Sequence, residues 1–355
     1  MRSLSRAGTR PAPTDSVGAT LVVAQWIDGW RRVFAAPAIV AGVFIMTLLA
    51  ALPLAITMRG LIEGHLGRSL MADQAADAVN WDWWQEFSSQ ATGVGVTLTP
   101  SIIGFAATLD NISSIVDAQR EIVPITSALA VYLVVWLFLS GGIIDRYARQ
   151  RSTRVHGFFS ASGVFFWRFL RLSIVMAAVY WLLFSYVHPW LFAEVFPRMT
   201  RDLAVEREAF AWRVGLYAVF GALLVAANVV FDYGKVRIVV EDRRSAIAAL
   251  AASLAFVGRN PSRVFGLYAL NGLAFLVLLA VWAMVAPGAG GAGPAIWLGF
   301  AVSQLYVITR LLLKLQFLAS ETALFQASLA HARYTAAPAP VWPESAAAET
   351  IQSRV

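Results

Sequence analysis

Apolar residues in this chain run together in long blocks. Ala38–Thr57 is twenty residues without a charge, and at about 1.5 Å per residue a helix of that length crosses about 30 Å of hydrocarbon. Uncharged runs recur at Ile125–Ile144, Leu172–Val187, Val214–Phe231, Val264–Val285 and Ala295–Thr309. Six membrane-spanning helices are predicted, the third and sixth short and extended by flanking residues.

A second pattern lies between the runs. Before the first span, apolar residues stand at Val23, Trp26, Ile27, Trp30, Val33 and Phe34, followed by Pro37. The same offsets before the fifth span give Ile247, Leu250, Ala251, Leu254, Val257 and Gly258, then Pro261. Before the third span they give Val155, Phe158, Phe159, Ser162, Phe165 and Phe166, with Phe169 in the proline's place. This spacing follows one face of an α-helix, and the proline is suited to break it before the next helix starts. The chain therefore reads as three units, 18–148, 152–240 and 244–330. Each has an amphipathic helix, a span out and a span back, and together they predict a pseudo-threefold bundle. The charged connector Asp232–Pro261 is the third copy of the hinge between hairpins. The expected fold is all-α, a six-span membrane bundle in one domain over 18–335. Disordered tails are expected at 1–17 and 336–355, and an outer-face insert at 58–124.

Composition agrees. The chain has 355 residues, 59% of them apolar and 14% charged, with a mean hydropathy of +0.65, values typical of membrane proteins. Of the 28 Lys and Arg residues, 21 fall in 1–36, 145–171, 232–263 and 310–355, which alternate with the other connecting segments. The positive-inside rule then places both termini in the cytosol and accounts for the net charge of +7 without a nucleic acid partner. The 58–124 loop holds eight acids, which suits the outer face. Two lysines among many arginines, together with abundant alanine, point to a GC-rich bacterial genome and so to a bacterial inner membrane. The absence of cysteine excludes disulfides, thiolate nucleophiles and Cys-ligated metals.

Chemistry is sparse. No H-E-x-x-H, G-x-S-x-G, P-loop or G-x-G-x-x-G motif occurs. Asp, Glu, Lys, Arg and His all fall in the flanks of the predicted spans, so no proton-relay carboxylate or voltage-sensing arginine stands out. No cofactor or metal is expected. His65, Asp73, Asp77, Asp82 and Glu86 match no metal-ligand spacing and read as a solvated acidic face. The one candidate site is a charge cluster at the inner ends of the return spans, Asp145, Asp232, Arg310 and Lys314. Arg310 either snorkels to the inner headgroups or faces Asp145 or Asp232. In the insert, Trp81, Trp83 and Trp84 read as an aromatic belt, and Thr99-Pro100 as the start of a helix through Ile102, Phe105, Leu109, Ile112 and Val116. His188-Pro189-Trp190 reads as the end of the third span, and Thr200 as the cap of a helix running into the fourth.

The layout, with the pieces Phe34-Ala-Ala-Pro37 and Arg259-Asn-Pro261, resembles uncharacterised bacterial multi-span proteins. It is also similar to the membrane domain attached to some glycerophosphodiester phosphodiesterases. That resemblance implies a membrane module and carries no activity or site residue, because the catalytic domain has no counterpart in these residues and the 58–124 insert departs from the pattern. The expected role is non-catalytic: a scaffold, partner-binding or lipid-environment module that contacts membrane lipids and a protein partner or a second copy of itself. A transporter or channel with a polar path past Asn228, Asn271 and Gln304 is the alternative.

Because the chain has no cysteine, single cysteines report topology directly. In intact cells an impermeant maleimide is expected to label Ser88→Cys, and Arg151→Cys only after lysis. The reverse result overturns the orientation.

Overall fold

The computed structural model describes residues 15–67, 69–77, 80–99, 105–119, 123–287 and 293–331. All of its regular secondary structure is helical. Helix α1 (Asp15–Phe34) leads into α2 (Pro37–Leu66), and three short helices follow: α3 (Ala72–Asp77), α4 (Trp81–Gln90) and α5 (Phe105–Val116). Then come α6 (Val123–Arg149) and α7 (Val155–Leu182), which continues through π-helical turns into α8 (Phe196–Thr200). The chain ends with α9 (Glu206–Val240), α10 (Ala246–Arg259), α11 (Pro261–Val285) and α12 (Pro294–His331). Six helices are long and apolar enough to cross a membrane: Pro37–Leu66, Val123–Arg149, Val155–Thr200, Glu206–Val240, Pro261–Val285 and Pro294–Leu329. Each contains one expected span. The protein is a multi-pass membrane protein.

The helix boundaries explain where the expectations held. Pro37 and Pro261 each open a new helix at its first turn, where a missing N–H costs nothing and the fixed φ is already helical. At the equivalent position Phe169 imposes no break, so the amphipathic segment from Val155 and the third span form one continuous helix. That rod passes His188-Pro189-Trp190, which does not end it, and runs to Thr200. Thr200 therefore lies at a helix C-terminus, its hydroxyl donating to the Phe196 carbonyl, and the next helix starts at Glu206 instead. Helix α1 begins at Asp15, inside the segment expected to be a tail. Leu315–His331 continues the sixth span without interruption. Residue 100, with the 101–104 start expected for the insert's helix, and the 336–355 tail lie outside the described residues.

The two ends of the bundle differ. At the end where α1 meets α2, α6 meets α7 and α9 meets α10, side chains are densely buried. Leu139–Asp145 and Tyr147 of α6 are buried, as are most residues of α9 from Val229 to Val239 and most of α12 from Leu311 to Phe325. The core here unites Val33, Ile143, Ile144, Tyr147, Phe169, Ile238, Ala249, Leu315 and Ala319. Towards the other end the same helices expose apolar side chains such as Leu133, Val219, Leu276 and Leu298, the surface a lipid phase would cover. A smaller cluster around Leu191, Leu216 and Phe220 joins the α7 extension to α9.

At that other end, elements of the insert touch α2, α6 and α11. Asn80 caps α4 by accepting from the Trp83 amide (3.0 Å), Trp83 donates to His65 Nδ1 (3.0 Å), and Trp84 donates to the Leu98 carbonyl (2.9 Å). After α5, Tyr217 donates to Asp117 (2.5 Å). Together with the Ser113 hydroxyl, this holds the Asp117 carboxyl below its ordinary range.

Close backbone approach is the recurring device at the crowded end. A Cβ on Gly29 of α1 would stand 2.8 Å from Ser320 Cβ on α12, and one on Gly142 of α6 only 2.5 Å from Ser162 Oγ on α7. Between helices in lipid, where apolar burial supplies little net attraction, such small-residue contacts are a main source of packing energy. Gly142→Leu is expected to destabilise by about 1–3 kcal/mol through overpacking, read as a lower melting temperature in detergent. Gly221→Ala, where nothing lies within 4 Å, is expected to be neutral or mildly stabilising. Equal effects at both sites would remove the close-packing account.

Candidate functional site

The crowded end encloses a polar layer built from α1, α11 and α12. Asn271 on α11 is completely buried. It accepts from Trp26 Nε1 (2.9 Å) and donates to Ser320 Oγ (3.0 Å). Gln316 reaches across to the Trp26 carbonyl (2.7 Å), and Ser320 donates to the Gln316 carbonyl one turn back (2.7 Å). The sequence places Trp26, Gly29 and Arg32 on one stripe of α1 at helical spacing. They meet Gln316, Ser320 and Gln326 in that order, so the two helices run side by side in the same direction. The apolar face of α1 is therefore divided. Its Gly29 and Val33 stripe is buried against protein, and Val23, Ile27 and Phe34 remain exposed.

A second set of bonds caps α6. Arg32, 8% exposed, donates to the Tyr147 carbonyl (3.0 Å) and to Gln326 Oε1 (2.7 Å), and Gln326 donates to the Ala148 carbonyl (3.0 Å). The last carbonyls of a helix have no internal partner and carry its negative dipole end, so a guanidinium and an amide placed there satisfy both needs. Asp28 keeps the charge matched at 2.7 Å. Burial nevertheless draws the guanidinium below its ordinary value.

Next to the polar layer stands Glu321, 2% exposed. Among the described residues neither of its carboxylate oxygens has a hydrogen-bond partner. Asp232 and Lys235 of α9 lie within electrostatic reach of it and bond to each other at 2.7 Å. Tyr233 is buried beside them, and Tyr180 donates to Asn228 one turn earlier on α9 (2.7 Å). Measured along α12 from Pro294, Glu321 lies about 40 Å in, at about 1.5 Å per residue.

The four candidate residues are only partly brought together. Asp145 pairs with Arg149 at 2.8 Å and Asp232 with Lys235, each a partner three or four positions along its own helix. Such neighbours meet without any tertiary arrangement. Arg310 is exposed, and among the described residues no acid lies within ion-pair distance of it, so the pairing of Arg310 with Asp145 or Asp232 does not form. Lys314 sits over the Trp136 ring at 3.6 Å and donates to Tyr132 Oη at 3.2 Å, a cation held by aromatic faces. Of the polar residues expected along a channel, Asn228 is bonded to Tyr180 and Asn271 to Trp26 and Ser320.

Glu321 was legible but missed. It is the single charge in the otherwise apolar or neutral run Leu315–Ala330, and a helix apolar on all sides is a buried one. That run lies past the predicted sixth span, Ala295–Thr309, so the span pattern does not signal its burial.

Comparison with models of known protein families, with curated proteins and with solved structures found no match.

Glu321→Gln replaces a buried carboxyl group that lacks a hydrogen-bond partner and is expected to leave the melting temperature equal or raise it. Asp232→Asn leaves Lys235 without its partner and is expected to lower stability by about 1–3 kcal/mol. A large loss from Glu321→Gln would mean that the carboxylate itself is needed by the fold.

Proposed function

We propose that this is a non-catalytic multi-pass protein of a bacterial inner membrane, with both termini cytosolic, acting as a lipid-environment and partner-binding scaffold. The observation that carries the reading is the unequal burial of its two ends. The basic end is filled and cross-tied by α1, α10 and α12, while α1 and α10 keep Ile27, Phe34, Ile247 and Leu254 exposed. An apolar face beside arginines suits the boundary between headgroups and acyl chains. The helix breaks before Pro37 and Pro261 support the proposed three-unit repeat, with the second unit fused into one helix. The similarity in layout to the membrane domain attached to some glycerophosphodiester phosphodiesterases belongs to the same proposal.

A second reading rests on Glu321. A buried acid without a hydrogen-bond partner inside a helical bundle is a candidate proton or cation carrier, and its neighbour Lys235 gives it a charge to respond to. The two readings separate in proteoliposomes. The scaffold predicts no proton or cation flux above that of empty vesicles, and flux that disappears in Glu321→Gln would replace it with transport. The scaffold also predicts that an environment-sensitive dye on Ile247→Cys or Phe34→Cys reports an interfacial lipid setting. Fully aqueous emission from both sites would count against it.

A further inference from the structure

Outside the polar layer, the same end of the bundle holds a groove of about 670 Å³, bordered by α9, α10, α11 and α12. Its chemistry comes from Arg237, Arg259, Asn260, Arg263, Phe325 and Ser328. The three guanidiniums have different duties. Arg237 is fixed from two sides, by Glu241 at 2.9 Å and by the Phe325 ring, whose centre lies 5.2 Å away. Glu241 is shared with Arg243, so the one acid beside Arg237 already answers two cations. Arg263 is half-buried and Arg259 exposed. Among the described residues no acid stands within ion-pair distance of either, and neither side chain makes a hydrogen bond.

Backbone adds to this charge. Between Arg259 and Arg263 the chain passes from α10 to α11 through Asn260, whose φ of −131° is not helical, and Pro261 opens the 25-residue helix α11. The amides of Ser262 and Arg263 lie in its first turn, where N–H groups have no acceptor inside the helix and the dipole is positive. Two uncommitted guanidiniums, a third held behind them and a helix start on one groove make a cradle for an anion with several acceptor oxygens. Such basic hollows between spanning helices suit phospholipid headgroups. The exposed Leu254 on α10 and Phe265 on α11 supply apolar surface from the two helices that border the groove.

We propose that this groove binds a phosphoester anion, the headgroup phosphate of an anionic phospholipid, with Arg259 and Arg263 as its ligands and Arg237 as a positioning charge. The proposal deepens the scaffold reading and rests on its orientation, which puts the groove at the cytosolic leaflet. A soluble phosphate compound would use the same chemistry, and the test separates the two sources.

The full-length protein in neutral detergent is titrated with phosphatidylglycerol, with phosphatidylcholine and with inorganic phosphate, and its melting temperature is followed. Phosphatidylglycerol is expected to raise it and phosphatidylcholine to leave it unchanged. Arg259→Gln/Arg263→Gln is expected to need at least tenfold more phosphatidylglycerol for the same rise. The exposed pair Arg151→Gln/Arg154→Gln at the same end is expected to respond as the parent does. Arg259→Gln alone, at an exposed position, serves if the double variant does not fold, and is expected to weaken the response severalfold. A rise with inorganic phosphate, lost in the same variants, keeps the groove as a phosphate site and assigns it to a soluble compound. No rise with either anion, or an equal rise in parent and variants, overturns the proposal. None of these outcomes depends on ion flux, so the groove and the scaffold reading fail separately.

Discussion

The C-terminal half of α12 is the axis on which the other helices depend. From Leu311 to Phe325 it is buried on nearly every side, and α1, α2, α6, α9 and α11 all pack against this helix. A helix enclosed in this way needs neighbours that come very close, and Gly29 allows α1 to approach Ser320 where any larger side chain would collide. That approach brings Trp26, Asn271, Gln316 and Ser320 into bonding distance. In a low-dielectric setting these bonds also act as a register, since sliding α1 by one residue would leave several buried polar groups without partners.

The same enclosure isolates Glu321. Asp145 and Asp232 lie on return spans and carry their own basic partners one helical turn away, which makes their burial tolerable wherever the helix goes. Glu321 has no such neighbour along α12, whose next basic group towards the N-terminus is Lys314. Its desolvation is offset only by what α9 brings up to it. Its surroundings are therefore set by how the helices are placed.

Basic residues at the crowded end are divided between two tasks. Arg32, Arg149 and Arg237 are consumed by the fold, answering helix carbonyls or nearby acids. Arg259 and Arg263 are not, and they flank the α10–α11 connection, where Pro261 opens a spanning helix. This division turns an excess of positive charge from a topology signal into a surface with local chemistry, on which the proposed headgroup site rests.

Six spans, an all-helical fold and the helix starts at Pro37 and Pro261 were determined by the sequence alone. Each rests on local physics: uninterrupted apolar length, and a residue that cannot continue a helix. Phe169 illustrates the limit of that logic, since the apolar register matched but without a proline nothing local stopped the helix, and the third span grew to Thr200. The charge cluster was only partly legible. Asp145 and Asp232 were visible as residues beside spans, but their partners turned out to lie on the same helices, and Arg310 stayed apart. What tertiary structure alone decided is which face of α1 meets α12, that Glu321 is sealed inside, and that Arg259 and Arg263 border one groove. Those outcomes depend on contacts between residues up to hundreds of positions apart, and no pattern along the chain encodes the distance between two helices.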